Sequence, residues 1–207
     1  MKKNTLIIVC VLAVIALCVV WLVGRFNVMV TLQENVETSW GQVENQYQRR
    51  MDLVEQLFGA VEGYAIHEDQ TFTDVISARA KATQLTIDPS NMTDAQLQNF
   101  QAVQGELSSA LSRLMVSVER YPELKADKHF TDLMTQIEGS ENRLAVARAT
   151  FNEQAKTYNT YIRKFPSNII ASMFGFERKP YFEAEEGAKK APKIDFKSLK
   201  HGNNNQQ

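Results

Sequence analysis

The chain is poor in the groups that perform covalent and metal chemistry: its 207 residues include two cysteines and three histidines. Both cysteines, Cys10 and Cys18, fall inside one apolar run, so the rest of the chain has no thiol for a disulfide framework or a zinc–thiolate site. A lipidated cysteine needs a small residue before it, whereas Val9 and Leu17 precede these two. They read as small apolar residues of a membrane helix. The histidines, His67, His129 and His201, are scattered and form no His-Glu-x-x-His pattern. His67-Glu68 therefore reads as a helix-end or surface feature, because zinc requires three or four convergent ligands. The sequence also lacks a Gly-x-Ser-x-Gly elbow and a glycine-rich phosphate loop, which removes the usual support for hydrolase, kinase and nucleotide-binding readings. Nine glycines and five prolines exclude collagen-like and low-complexity character. With 23 Lys and Arg against 24 Asp and Glu, a nucleic-acid partner is not expected. No catalytic residue, cofactor or metal ligand is expected either.

What the sequence does have begins at its start. Leu6 to Gly24 runs nineteen residues without a charge. As a helix it measures about 28 Å, enough for the hydrocarbon core of a bilayer. A cleaved signal peptide is the alternative, but its apolar region is shorter and ends in a small-x-small site, whereas this run ends Trp21-Leu22-Val23-Gly24. Residues 6–24 are thus expected to contact the lipid bilayer as an uncleaved anchor. Trp21 suits the interface, and Lys2 and Lys3 outweigh Arg25, which places the amino terminus in the cytoplasm and the remainder outside. Residues 25–177 carry 14 basic and 20 acidic side chains, and residues 178–207 carry 7 and 4, an acidic body followed by a basic end.

Beyond the anchor the periodicity is helical and shows no strand alternation. Val36, Trp40, Val43, Tyr47, Met51, Val54, Phe58, Val61 and Ala65 recur every three or four residues, which aligns them on one face. Only Gly24 and Arg25 separate this stripe from the membrane run, so the two are expected to form one rod of roughly 90 Å, with Gly24 the place for a hinge. Thr71 to Leu85 opens on a capping signal, places Phe72, Val75, Ile76, Ala82 and Leu85 on one side, and closes at the Asp88-Pro89-Ser90-Asn91 turn. Thr93 and Gln96 make a capping box for a helix with the stripe Leu97, Phe100, Val103, Leu107, Leu111, Leu114, Val118 and Tyr121. A last long helix starts near Glu123 to Asp127 and runs through Phe130, Leu133, Ile137, Leu144, Ala147, Phe151, Ala155, Tyr158, Ile162 and Phe165 to Pro166. The predicted fold is all-α, an N-terminal transmembrane helix followed by an antiparallel four-helix bundle with a long first helix. The expected division is residues 1–24 as cytoplasmic stub and anchor, 25–176 as the bundle and 177–207 as a flexible basic tail. Asn168 to Phe176 is too short to span a membrane and is expected to cover the bundle end, with membrane-surface contact its alternative role.

Several charges sit within or beside the stripes. Arg50 lies a turn from Tyr47, Arg79 a turn from Val75 and Arg148 a turn from Leu144, while Glu141 fills the gap between Ile137 and Leu144. A buried ion without a partner costs several kcal/mol. Glu141 and Asn142 facing Arg50, Arg79 or Arg148 would therefore fix helix register as a structural polar network. An anion or peptide site at one end of the bundle is the alternative.

A set of short strings occurs in order along the chain: Trp40-x-x-Val43, Tyr47 to Leu53, Gly63-Tyr64-Ala65-x-His67-Glu68, Ala78-Arg79, Tyr121 to Ala126, and Glu141-Asn142-Arg143. Ala147-Arg148-x-x-Phe151-Asn152, Tyr158-Asn159-x-x-Ile162 and Phe165-Pro166 through Gly175-Phe176 continue it. This order resembles the LemA family from the membrane helix to about residue 182. The resemblance implies a single-pass bacterial membrane protein with an extracytoplasmic helical bundle, linked to envelope and membrane organisation, and it implies no settled activity. The expected function is a non-enzymatic, membrane-tethered interaction or scaffold protein whose partners are envelope proteins or a second copy. A ligand-binding or sensory domain acting through assembly at the membrane is the alternative.

Overall fold

A computed structural model of the chain describes residues 3–64, 66 and 70–183. Among these it is all-helical, with no strand: α1 (Lys3–Val61), α2 (Gln70–Thr83), α3 (Asp94–Val118), α4 (Pro122–Ala126), α5 (Lys128–Arg163) and α6 (Ser167–Phe174). A 3-10 turn at Pro89–Asn91 lies between α2 and α3.

α1 is a single helix of 59 residues, about 88 Å long. Nothing in its sequence stops it, since the first proline of the chain is Pro89. It passes unbroken through Gly24, so no hinge forms there. From Leu6 to Trp21 its apolar run is exposed, with Leu17 70% and Val20 71% accessible, and Leu22 is half-buried. From Met29 onward one face is buried, and Val36, Trp40, Val43, Tyr47, Met51, Val54 and Val61 form the stripe read from the sequence. Phe58 is half-buried, and Ala65 lies outside the described residues.

Two of the start signals act where the sequence places them, whereas the Thr71 signal does not, since α2 begins at Gln70 and Thr71 lies inside it. Thr93 Oγ1 accepts from Gln96 N, and the Gln96 side chain accepts from Thr93 N in return, closing the capping box of α3. Asp127 caps α5 by accepting from Phe130 N, and Pro122 opens α4 at a position where its missing N–H costs nothing. At the end of α6, Gly175 takes φ 74°, a left-handed position that favours glycine, and Phe176 N closes the cap on Ala171 O.

α1 and α5 run antiparallel. Going up α1, Arg25 meets Tyr161, Trp40 meets Phe151, Tyr47 meets Arg148 and Arg50 meets Glu141. α2 and α3 are antiparallel too, joined by Lys81–Glu106 and Asp74–Arg113. The core forms two apolar clusters. One is built around Leu57, Phe72, Leu107, Leu114 and Ile137, the other around Trp40, Phe100, Phe151, Tyr158 and Phe182.

Three sequence expectations are corrected. Ile76 is 41% exposed, because α2 buries a narrower face than its spacing suggested. Phe165, the last member of the α5 stripe, is 81% exposed: α5 ends at Arg163, and Phe165 falls in the turn beyond it. Residues 177–183 are not a loose tail but an extended strap on the bundle, with Lys179 and Phe182 buried. Their order comes from side-chain amides of α3 and α5, described below. Ile194, Phe196 and the rest of the expected tail lie outside the described residues.

Candidate functional site

Arg50 is the one fully buried charge among the described residues, with a side chain 0% accessible on the inner face of α1. Its Nη2 reaches Glu141 Oε1 on α5 at 2.5 Å and donates to Ser108 Oγ on α3 at 3.0 Å. Ser108 in turn donates to Glu141 Oε1 at 3.2 Å, so three helices meet at one polar point. Gln104 and Ser140, both buried, complete the layer, which lies where one apolar cluster gives way to the other. Burial pulls the Arg50 guanidinium below its usual range, and the Glu141 carboxylate opposes that shift. Since Arg50 Nε and Nη1 have no protein partner, Glu141 and Ser108 are the groups that offset its desolvation.

A turn below, Arg148 donates through Nε and Nη2 to Tyr47 Oη and lies over two rings, 5.5 Å from that of Tyr47 and 5.6 Å from that of Phe182. Burial pushes the Tyr47 phenol up, with Arg148 opposing it. Of the five polar residues singled out in the sequence, Arg50, Glu141 and Arg148 thus share one region. Arg79 stands apart, bonding Glu55 Oε2 at 2.6 Å and Met51 O at 3.3 Å on α1. Asn142 is exposed beside α1, away from the polar layer. There it lines an open groove of about 470 Å³ with Gln42, Asn45, Arg143 and Val146, the last 67% exposed.

Two asparagines passed unremarked in the sequence except as parts of longer strings. Asn159 donates to Lys179 O at 2.8 Å and accepts from Lys179 N at 2.9 Å. Asn152, seven residues earlier on the same face, does the same to Phe182 at 3.0 and 2.9 Å. Gln101 of α3 takes Glu183 in the same manner. Each amide offers one donor and one acceptor, which is what a single extended residue presents along its edge. The seven-residue spacing of the two asparagines was the available signal. Held this way, Phe182 stacks on Trp40 at 6.0 Å and meets Phe151 edge-on at 5.5 Å. Lys179 Nζ reaches back to Pro89 O and Ser90 O at 2.7 and 2.8 Å, tying the strap to the 3-10 turn.

Among the described residues no group of three or more His, Cys, Asp or Glu side chains could hold a metal ion. His129 is exposed, and His67, Glu68 and His201 lie outside the described residues. Among the described helices, α1 alone is long and apolar enough, in its first third, to cross a membrane.

The LemA family model matches residues 39–196, which takes in the polar layer, the amide clamps and the strap. The chain belongs to the LemA family. This LemA-family chain is similar to Magnetosome protein MamQ 2 and Magnetosome protein MamQ 1 of Paramagnetospirillum magneticum, each 28% identical over 197 residues, covering 87% of this chain and 72% of the relative. It is also similar to Protein LemA of Metamycoplasma hominis, 22% identical over 164 residues, covering 79% of this chain and 71% of that one. None of these names denotes an enzyme.

Proposed function

We propose that this LemA-family chain is a membrane-anchored interaction module of the bacterial envelope, which acts by holding partners and performs no catalysis. In this reading residues 1–24 are the anchor with its amino terminus in the cytoplasm. Residues 25–183 are an extracytoplasmic antiparallel four-helix bundle of α1, α2, α3 and α5, closed by the strap. The single observation that carries the reading is the continuity of α1, whose apolar run from Leu6 is exposed but for the half-buried Leu22, while its remainder is a wall of the core. A helix that does both fixes the domain rigidly above the bilayer, where a flexible tether would let it wander.

The Arg50–Ser108–Glu141 layer supports a structural role for the polar residues, since it seals one charge between three helices and spends its counter-charge within the fold. The partner surface we assign is the α1–α5 groove, where Val146 stands among amides and Arg143. Such a surface suits a helix or extended segment of another envelope protein or of a second copy.

A photoreactive residue at Val146, crosslinked in intact cells, tests this reading. Reproducible adducts with an envelope protein or with the chain itself, absent from the same residue placed at Val116 on α3, support it. Correct export without any adduct at Val146 removes the groove as the partner surface and returns weight to ligand sensing.

A further inference from the structure

The end of the domain nearest the apolar third of α1 carries an apolar patch open to its surroundings. Phe165 is 81% exposed, Met173 69%, Ile169 52% and Phe174 51%. Elsewhere the large exposed apolar side chains of the domain stand singly or as a neighbouring pair, as Val146 and Met115–Val116 do, and form no apolar patch of this size. These four come from α6 and the turn before it, within ten residues of sequence.

Their height along α1 follows from the register. Arg25 Nη1 donates to Tyr161 Oη at 3.4 Å, which places that turn of α5 beside Arg25. Because the two helices are antiparallel, the chain beyond Tyr161 leaves α5 at Arg163 on the side of Arg25 that faces the apolar run. Phe165, in the turn two residues past the end of α5, therefore stands on the side of Arg25 toward the end of the apolar run, where aromatic side chains lie in the headgroup region. α6 is fixed at the same level by ring contacts of Phe26 with Phe174 at 4.9 Å and with Phe176 at 5.5 Å. Leu22 packs against the same lower core. Arg163 and Lys164 precede Phe165 and are exposed, with Arg25 nearby. Long basic side chains at such a level lay their stems along apolar surface and present their charge to anionic lipid phosphate.

We propose that Phe165 and the outer face of α6 (Ile169, Met173, Phe174) insert into the membrane interface, so that the domain rests on the bilayer through a second contact beside α1. The bilayer is the occupant because α1 holds the patch at its edge. Any protein covering it would have to displace headgroups from Arg163 and Lys164. This inference rests on α1 being the membrane span, and the experiment separates the two.

The full chain with Cys10→Ala and Cys18→Ala is reconstituted in phosphatidylcholine–phosphatidylglycerol bilayers. It carries one nitroxide at a time, through Leu12→Cys, Phe165→Cys, Ile169→Cys, Met173→Cys or Val146→Cys. Power saturation then compares collision with oxygen, which concentrates in lipid, and with a nickel chelate, which stays in water. The expected result is raised oxygen and suppressed nickel collision at 165, 169 and 173 relative to 146, with 12 deeper still. Readings at 165, 169 and 173 equal to 146 while 12 reads deep would overturn the second contact and leave the anchor intact. Shielding from both reagents with dipolar broadening between copies would also overturn it, since a second copy would then cover the patch. A water-exposed reading at 12 would remove the span and this inference with it.

Discussion

Arg50 sets the terms for the residues around it, because a guanidinium with no access to water is tolerable only while its counter-charge stays in place. Removing Glu141 leaves that charge held by one serine. Glu141→Ala is expected to destabilise the fold by about 2–4 kcal/mol, somewhat below a fully buried pair because Glu141 is itself half-exposed. Arg50→Met in the same chain should restore most of the loss, since an apolar side chain in that layer needs no partner. Thermal melts of the two single variants and the double variant check this, and additive losses would contradict it. Asp127 behaves differently. Its carboxylate is held below the usual range by the Phe130 backbone N–H and then by the Tyr64 hydroxyl. A depressed carboxylate contributes stability that is present above its unfolded value, near pH 3.9, and is lost as pH falls through the lower folded value. Asp127→Asn keeps a cap but has no charge to titrate. Its melting temperature should therefore fall less steeply between about pH 4 and pH 2 than that of the parent chain. Arg50 and Glu141 were legible as charges inside apolar stripes. That Glu141 meets Arg50 rather than Arg79 or Arg148 was not, because spacing places a residue on a face without saying which of three neighbouring helices it meets.

At the scale of elements, the strap depends on the amides of α5. Lys179 N and O are buried and have Asn159 as their partner, so Asn159→Ala is expected to cost about 2–3 kcal/mol through two unsatisfied backbone groups. Combined with Asn152→Ala it should release residues 179–183 from hydrogen-exchange protection while α1 and α3 keep theirs. Unchanged protection of the Lys179 and Phe182 amides would show that something other than the asparagines holds the strap. The long helices, their caps and most of their buried faces were legible, because period and capping chemistry are local properties. The strap was not, since residues 177–183 have no period and their order is supplied by groups 20 to 85 positions away. Phe165 was misplaced for a related reason. Its spacing continues the α5 stripe, but the helix ends two residues earlier and the stripe has nothing left to face.

Across the whole molecule, one helix carries two kinds of surface. The first third of α1 presents apolar side chains all round, and the remainder buries one stripe and exposes the other faces. This asymmetry was written plainly in the sequence, as was the family to which it points. The surface by which the domain meets a partner was not, because an exposed groove such as that around Val146 leaves no periodic trace. The functional role proposed for the domain depends on the anchor and its orientation. The most direct measurement is thiol labelling of a Val146→Cys chain with a membrane-impermeant maleimide, in intact spheroplasts and after detergent, with intact mass read on carbonate-washed membranes. An uncleaved anchor with a cytoplasmic amino terminus predicts that the chain stays in the washed membranes with residues 1–24 attached. It also predicts that the thiol introduced at position 146 reacts in spheroplasts, while Cys10 and Cys18 react only after detergent. A washed-off chain lacking its first residues, or an introduced thiol shielded until the membrane is dissolved, would contradict it.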